Sequence, residues 1–546
     1  MDAMTSDRFG GHVLRAGWCT VFLGALLGGL LAAGCNGSSD EGAGADPQPS
    51  HSGGYAEREP IDPVELNGPI FEGWSVPDAA LVISGEMLGY IEPCGCAGLE
   101  NQKGGLRRRH TLLKQLADEG WPLAAIDVGG HIRRFGPQAG IKLDTILLAL
   151  QTMDYSAVAL GPTDLQLPPD RLLSALIDDA NPFVAANISF NPESDVFAGL
   201  DFAPPTRILQ AGNRRIGVTA ILGEQYQAKV DGADLQFSPS GETLAAALSE
   251  LSNTGCDTIV VLSHATPDES RALAQQFPEG IDYIVTAGGA DEPPAEPMPI
   301  DNSQAQLIEV GHKGMYLAVL GFYDKGATPV RFQRVPLDAR FEDSEEMSEL
   351  LAEYQGTLEL AGFGGLGLTP VTHPGGEFAG AESCRECHPK QYTIWRGSGH
   401  ARATETLSHV SPPRLHDPEC LSCHTTGWNP QDYYPYATGY LSLEQTPQLV
   451  GNVCDNCHGP AAQHVAVERD QPRDQLLLEQ HRAPLRLTRS TVEQQTCIQC
   501  HDKDNSPDFD FDTYWPKIDH GPAATWDPAA LEAAELPASR PSTQRH

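Results

Sequence analysis

The chain has 546 residues, 40% of them hydrophobic and 20% charged, which is enough for two or three domains with apolar cores and is not the composition of a disordered chain. Its formal net charge of −37 argues against a nucleic-acid partner, which needs a basic face, and for basic protein partners held in a salt-dependent way.

The first predicted element, residues 1–34, is a targeting segment. Arg8 and Arg15 precede an apolar run, CTVFLGALLGGLLAAGC. That run is too short and glycine-rich for a spanning helix and has the flanks of a secretory signal. It ends at Cys35 and resembles a bacterial lipobox, with Ala32 where the motif has leucine. The resemblance implies lipidation of Cys35, which holds a protein at a membrane surface without spanning it. Ordinary signal cleavage beside an incidental cysteine is the alternative. Residues 35–75 read as a polar tether. Asn36 follows the cysteine, which by resemblance to enterobacterial sorting favours the outer membrane. The expectation is an exported bacterial lipoprotein, periplasmic or on the cell surface.

Residues 76–360 alternate short apolar runs with amphipathic stretches. ALVISG, PLAAIDVGG, AVALG, PFVAANISF, DTIVVLSHA and DYIVTAGG read as buried strands. GLRRRHTLLKQLADEG, GIKLDTILLALQTMDY, DRLLSALIDD, GETLAAALSELSNTG and PDESRALAQQF read as helices. AQLIEVGHKGMYLAVLGFYD and PVRFQRVPL form a more β-rich end, and DSEEMSELLAEYQGTLEL is an acid-capped helix. This is an α/β pattern. Residues 361–380 are a Gly/Pro linker.

The order of these elements, with the intact Gly104, Gly105, Leu106 and Arg108 element and Ser263-His264, resembles the calcineurin-like metallophosphoesterases of the 5′-nucleotidase type. The resemblance implies a four-layer α/β sandwich and a two-metal site that activates water. Tested position by position, that site is degenerate. EMLG puts Glu86 for aspartate and Leu88 for histidine. DVGG keeps Asp127 but puts Gly130 for the bridging aspartate, and Pro162-Thr163 replaces Asn-His. The final Gly-His-x-His is AGGA, with Gly288 and Ala290 for the histidines. Leucine, glycine and proline side chains cannot ligate a metal, and His264 and Glu86 cannot hold two dications. A dead hydrolase fold follows, with no phosphohydrolase activity and with Asp127 and His264 serving structure. Cys94 and Cys96 in IEPCGCAG are a possible redox couple or site for an additional metal, with Cys256 or His264 as partners; a structural disulfide or buried pair is the plain alternative. His110 and His131 lie in nearby segments, and lone histidines of this kind are ordinarily packed or exposed.

From 381 to 528 the pattern changes to Pro, Gly and turn residues, followed by a tail at 529–546. Four repeats of Cys-x-x-Cys-His stand out: Cys384, Cys387, His388; Cys420, Cys423, His424; Cys454, Cys457, His458; and Cys497, Cys500, His501. Two thiols three residues apart reach the two vinyl groups of one haem, and the adjacent histidine ligates the iron. Zinc knuckles do not need a histidine after every pair. ESCRECHPKQYTIWRGSGHARATETL, DPECLSCHTTGW, GNVCDNCHGPAAQHV and TCIQCHDKDNSPDFDFDTYWPKIDHGP resemble, in order, the tetrahaem cytochrome c-554/c-552 family. That implies a small, irregular, mostly helical multihaem cytochrome c domain with four covalent haem c groups. It also implies His400, His464 and His520 as distal ligands, each making an iron six-coordinate and suited to electron transfer. In known members the second haem often has no protein sixth ligand; His409, His416 or His481 could close it.

Two functions follow. The first is a membrane-tethered carrier of electrons between redox proteins, basic cytochromes among them, with the front domain docking or scaffolding. The second is an enzyme, acting on a small nitrogen or sulfur compound at an open haem, or by redox or metal chemistry at Cys94 and Cys96 coupled to the haems. The carrier is preferred, because nothing in the sequence marks a substrate site.

Overall fold

The computed structural model describes residues 62–521, apart from 94–101, 178–180, 195–196, 198, 231, 233, 326–327 and 507–508. Cys35, Cys94 and Cys96 lie outside the described residues. No described helix is long and apolar enough to cross a membrane.

In chain order the front domain runs α1 (Pro63–Asn67), β1 (Ala79–Ser84), α2 (Leu106–Asp118), β2 (Leu123–Asp127), α3 (Pro137–Thr152), β3 (Tyr155–Val158), α4 (Pro169–Ile177), β4 (Ile188–Phe190), β5 (Thr206–Ala211), β6 (Arg214–Leu222), α5 (Glu224–Gln227), β7 (Leu235–Phe237) and α6 (Ser240–Asn253). It continues β8 (Thr258–His264), α7 (Pro267–Gln276), β9 (Tyr283–Thr286), β10 (Met298–Pro299), β11 (Gln306–Glu309), β12 (Tyr316–Phe322), β13 (Val330–Pro336) and α8 (Glu345–Gly365). A five-stranded sheet has the order β13-β12-β1-β2-β3, and a six-stranded sheet the order β10-β11-β9-β8-β6-β5. The strands β1, β2 and β3 are parallel, as are β6, β8, β9 and β11.

Alternate residues of the same strand serve two cores, which is why β1 reads as a continuous apolar run. Leu81 and Ile83 of β1 meet Val218, Val260 and Leu262 of the other sheet, while Ala80 and Val82 face Leu106, Leu112 and Leu143 on the helical side. Leu244, Leu248 and Leu273 of α6 and α7 cover the far face of the six-stranded sheet. The layers are therefore helix, sheet, sheet, helix. Each such buried Leu or Ile contributes about 1.5–3 kcal/mol.

Several boundaries differ from the sequence pattern. Helix α3 stops at Thr152, and Tyr155, expected in the helix, begins β3. The left-handed Asp154, φ 57°, turns the chain between them. In PFVAANISF only Ile188–Phe190 is a strand. The hairpin β5–β6 was not foreseen; its strands pair from Ala211 and Arg214 across a two-residue Gly212-Asn213 turn. Helix α8 is capped by the Ser344 side chain and runs into the predicted linker, its geometry broken only at Gly362, φ 55°.

The C-terminal region is a set of short helices: α9 (Ala381–Arg385), α10 (Pro389–Arg396), α11 (Ala403–His409), α12 (Pro418–His424), α13 (Cys454–His458), α14 (Ala462–Arg469), α15 (Gln475–Arg482), α16 (Arg489–Thr491) and α17 (Phe511–Tyr514). One small apolar cluster, with Trp395, Leu421, Trp428, Tyr440 and Leu449, holds it together, and Phe363 and Leu368 after α8 pack against it. So small a core in so long a segment fits a region whose folding is coupled to bound cofactors.

Candidate haem centres and the degenerate cleft

Each Cys-x-x-Cys-His lies on or beside a helical turn, which sets residues three apart on one face. Helix α12 holds the whole second motif and α13 the whole third. Asp417 caps α12, accepting from the Glu419 N–H at 3.0 Å. None of the eight motif cysteines is in a disulfide. The motifs adjoin: Cys384 lies beside Cys454, and Cys423 beside Cys500. Cys457 lies close enough to Cys497 to feel its charge. The motifs are thus strung in space as first, third, fourth, second.

The histidines pair across motifs. The ring centres of His388 and His464 are 6.5 Å apart, those of His400 and His501 6.1 Å, and those of His458 and His520 5.8 Å. A metal–imidazole bond is about 2 Å, so two rings on opposite faces of one metal have centres about 6 Å apart. A ligating histidine ordinarily bonds its other nitrogen to a carbonyl or carboxylate. The Nδ1 of His458 is 2.7 Å from the Leu485 carbonyl, that of His424 2.8 Å from the Ala403 carbonyl, and that of His520 2.9 Å from the Gly521 carbonyl. Such donation leaves Nε2 to face a metal. Burial lowers the pKa of His388, His400, His424, His458 and His464. For His501, burial and the neighbouring His400 and His424 lower it to about 4. For these six residues the shift favours the neutral imidazole that ligation requires. These residues fit iron held between paired histidines. Of the further histidines, His409 is exposed at the end of α11, His416 lies 3.6 Å from Glu359, and His481 is on α15.

The degenerate positions gather at the C-terminal strand ends of the front domain, where ligands bind in parallel sheets. A charge network fills that place. His131 is fully buried, with Nδ1 3.0 Å from Asp164 Oδ2 and Nε2 3.3 Å from Asp127 Oδ1. Burial works against its charge, but Asp164 and Asp127 outweigh it and hold the pKa at about 10. Asp127 also accepts from Ser84 Oγ at 2.5 Å and lies 3.8 Å from the buried Arg109 guanidinium. Asp164 accepts from the backbone N–H groups of Gly130, His131, Ile132 and Gly161. Both carboxylates stay below their ordinary range despite burial, chiefly through His131. His131 is thus the group that both carboxylates face.

Glu86 fills the rest. Its φ is 49°, a left-handed conformation that costs a non-glycine residue energy. A Cβ at Gly130 would stand 2.4 Å from its Oε1, so glycine is what admits the Glu86 carboxyl. Burial, with Asp164 and Asp127 nearby, raises its pKa to about 8. His264 donates from Nδ1 to the Val128 carbonyl at 2.9 Å and turns Nε2 to Glu86 Oε1 at 3.7 Å. Among the described residues no group of three or more His, Cys, Asp or Glu side chains is arranged to hold a metal. Asp164, Arg109 and the role of His131 were missed in the sequence; Asp164 sits directly after Pro162-Thr163. Cys256 precedes β8, at the opposite end of that strand from His264. His110 is bonded to Ser344 at the start of α8, at 2.6 Å.

The comparisons divide the chain in the same way. Residues 383–459 match the family model "Cytochrome c554 and c-prime". Cytochrome c-554 of Nitrosomonas europaea is 29% identical over 96 residues, covering 15% of this chain and 38% of that protein. The snake venom 5′-nucleotidase of Crotalus adamanteus is 23% identical over 251 residues, 42% of each chain. A 5′-nucleotidase precursor from Thermus thermophilus superposes with a TM-score of 0.44 at 18% identity, over 59% of this chain and 68% of that one. The chain spans about two fifths of the length of the curated relatives it matches, 38% and 42%. The C-terminal region carries a c-type cytochrome segment of the c554 type, which implies covalent haem c, and the N-terminal region is 5′-nucleotidase-like. The matched cytochrome stretch holds the first three motifs; the fourth, at Cys497, follows it.

Proposed function

We propose that the protein is an exported tetrahaem c-type cytochrome that carries electrons between redox partners, with a front domain that keeps the hydrolase fold but not the hydrolase. The observation that carries this reading is the set of three histidine pairs with centres 5.8–6.5 Å apart, each joining a motif histidine to His400, His464 or His520. Haem iron, when bound, supplies a one-electron couple. The chain's own part is to hold the groups in series through the thiols of the four motifs, to fix the imidazoles by their Nδ1 bonds, and to shield them. The His131 network supports loss of the two-metal site, since its imidazolium already neutralises the carboxylates that metals would need. Lipidation at Cys35 would hold the cytochrome at a membrane, and the net charge of −37 suits basic redox partners.

The test uses the full chain made in a host that attaches haem. Haem per chain is counted by pyridine haemochrome absorbance, and spin states are read by low-temperature EPR. Four haems are expected, with low-spin signals that convert one at a time to high-spin in His400→Ala, His464→Ala and His520→Ala. Fewer than four haems, or substitutions that leave every spin state unchanged, would overturn the reading.

A further inference from the structure

The turn that follows the fourth motif has one end on a motif histidine and its tip on the front domain. At the first end Ser506 is buried, and its Oγ stands 3.1 Å from Nδ1 of His501. With Nε2 turned to a metal, Nδ1 carries the proton, so the serine hydroxyl accepts the hydrogen bond. Phe509 stacks on the same imidazole, with ring centres 4.5 Å apart and planes 14° apart. The turn is closed from within: the Ser506 N–H donates to the Asp502 carbonyl at 2.8 Å, and the Asn505 N–H to Asp502 Oδ1 at 2.7 Å. The position of Ser506 against His501 is therefore the position of the whole turn.

The tip of the turn is Asp504, and the front domain grips it. Arg133 Nη1 lies 3.0 Å from Oδ2 and Lys313 Nζ 2.8 Å from Oδ1. Both cations lie over one ring, that of Tyr90, each 4.9 Å from its centre. The three turns that bring them are joined at the former hydrolase site: the Gly89 N–H donates to the His131 carbonyl at 2.7 Å, and the Gly314 N–H to the Glu86 carbonyl at 3.3 Å. Lys313 has a φ of 58°, a left-handed conformation that is strained for a non-glycine residue and persists only where its surroundings fix it. A lone exposed ion pair contributes little, but here two cations set on one aromatic face close on a single carboxylate. The second motif is tied to the same domain, with Glu419 2.6 Å from the buried Lys142, but its histidine bonds to the Ala403 carbonyl of its own region.

We propose that the front domain positions the axial histidine of the fourth motif: Arg133 and Lys313 hold Asp504, Asp504 holds the turn, and the turn holds Ser506 against His501. This rests on the tetrahaem reading and gives the former hydrolase fold a part in it. A hydrogen bond accepted from Nδ1 makes an imidazole a stronger donor to iron and favours the oxidised state, so its loss raises the potential. The effect runs through the geometry of that bond and not through net charge. Ser506, Asp504, Arg133 and Lys313 are positioning residues.

The experiment is a redox titration of the full-length holoprotein followed by low-temperature EPR. The fourth-motif signal is the low-spin signal that His400→Ala converts to high-spin. Its midpoint is compared in wild type, in Ser506→Ala, in Asp504→Ala/Lys313→Gln, which removes one charge of each sign, and in the three substitutions together. Ser506→Ala raises that midpoint by about a tenfold change in the reduced-to-oxidised ratio, or about 59 mV for one electron. The charge-balanced pair raises it in the same direction, and the triple variant rises no further than Ser506→Ala, because both routes break one bond. An unmoved midpoint in Ser506→Ala, an unmoved or lowered one in the charge-balanced pair, or rises that add in full in the triple variant would overturn the proposal. If His400→Ala converts no low-spin signal, the ligation reading fails and this proposal with it; conversion with an unmoved midpoint in Ser506→Ala sinks this proposal alone.

Discussion

Replacing His131 by alanine removes the cation on which the front domain's buried acids depend. In the native structure the ring stands between Asp164 at 3.0 Å and Asp127 at 3.3 Å, all three groups fully buried. Without it, Asp127 keeps Ser84 and a more distant Arg109, and Asp164 keeps only backbone donors. Removing one partner of a buried ion pair costs roughly 3–5 kcal/mol, because a charge is left in a low-dielectric interior without compensation. At roughly 2–4 °C per kcal/mol for a domain of this size, the front domain's melting midpoint falls by about 10 °C. The assay is thermal unfolding followed by far-ultraviolet circular dichroism in chelator, then with added Mn²⁺ or Zn²⁺. Wild type should melt at one temperature in all three, since a ligand stabilises only in proportion to its binding. The reasoning fails if His131→Ala melts with wild type, or if chelator alone lowers the wild-type midpoint.

The same network sets an alkaline limit. The folded pKa of His131 is raised from 6.5 to about 10, so its contribution is complete below pH 6.5 and drains away as pH rises toward 10. Glu86 is raised from 4.5 to about 8 and works in the same direction at lower pH; unfolding free energy measured against pH should decline from near pH 5 to pH 10, and Glu86→Gln should flatten the part below pH 8. Gly130→Asp, which restores the bridging carboxylate of the hydrolases, should bring no phosphohydrolase activity and should destabilise the domain, since its Cβ meets Glu86 at 2.4 Å and φ is 80° there; a rise in nucleotidase rate would contradict this. Asp417→Ala removes the cap of α12 and the acceptor for Gln138 and Gln355, and should lower the unfolding free energy from chemical denaturation by about 1–2 kcal/mol while haem content stays constant.

The haem motifs were legible because covalent attachment fixes a spacing, and spacing survives in a one-dimensional record. The strand and helix order was legible for a related reason, since β1, β2 and β8 must be apolar on both faces. What pairs with what was not. His400 reaches His501 and His458 reaches His520, partners far apart in sequence that only the folded loops bring within 6.1 and 5.8 Å. Leu88 and Gly130 could be read as departures from the hydrolase motif, but the charge network that gathers beside them could not. His131 and Asp164 are ordinary residues in their segments, and they become an ion pair only when the ends of β2 and β3 adjoin. The hairpin β5–β6 was passed over although its Gly-Asn turn is a recognisable signal. The docking of the second and fourth motifs on Arg133, Lys142 and Lys313 has no local signature, because each cation looks like any surface residue until the domains meet.

The most direct test of a haem wire on a dead hydrolase is the metal content of the purified full-length protein. Iron, manganese, zinc and copper are counted per chain by mass spectrometry and set against covalent haem. The account predicts four irons per chain, all in haem, with no other metal near stoichiometry. One or two further metals per chain, retained through gel filtration and accompanied by phosphoesterase activity, would contradict it.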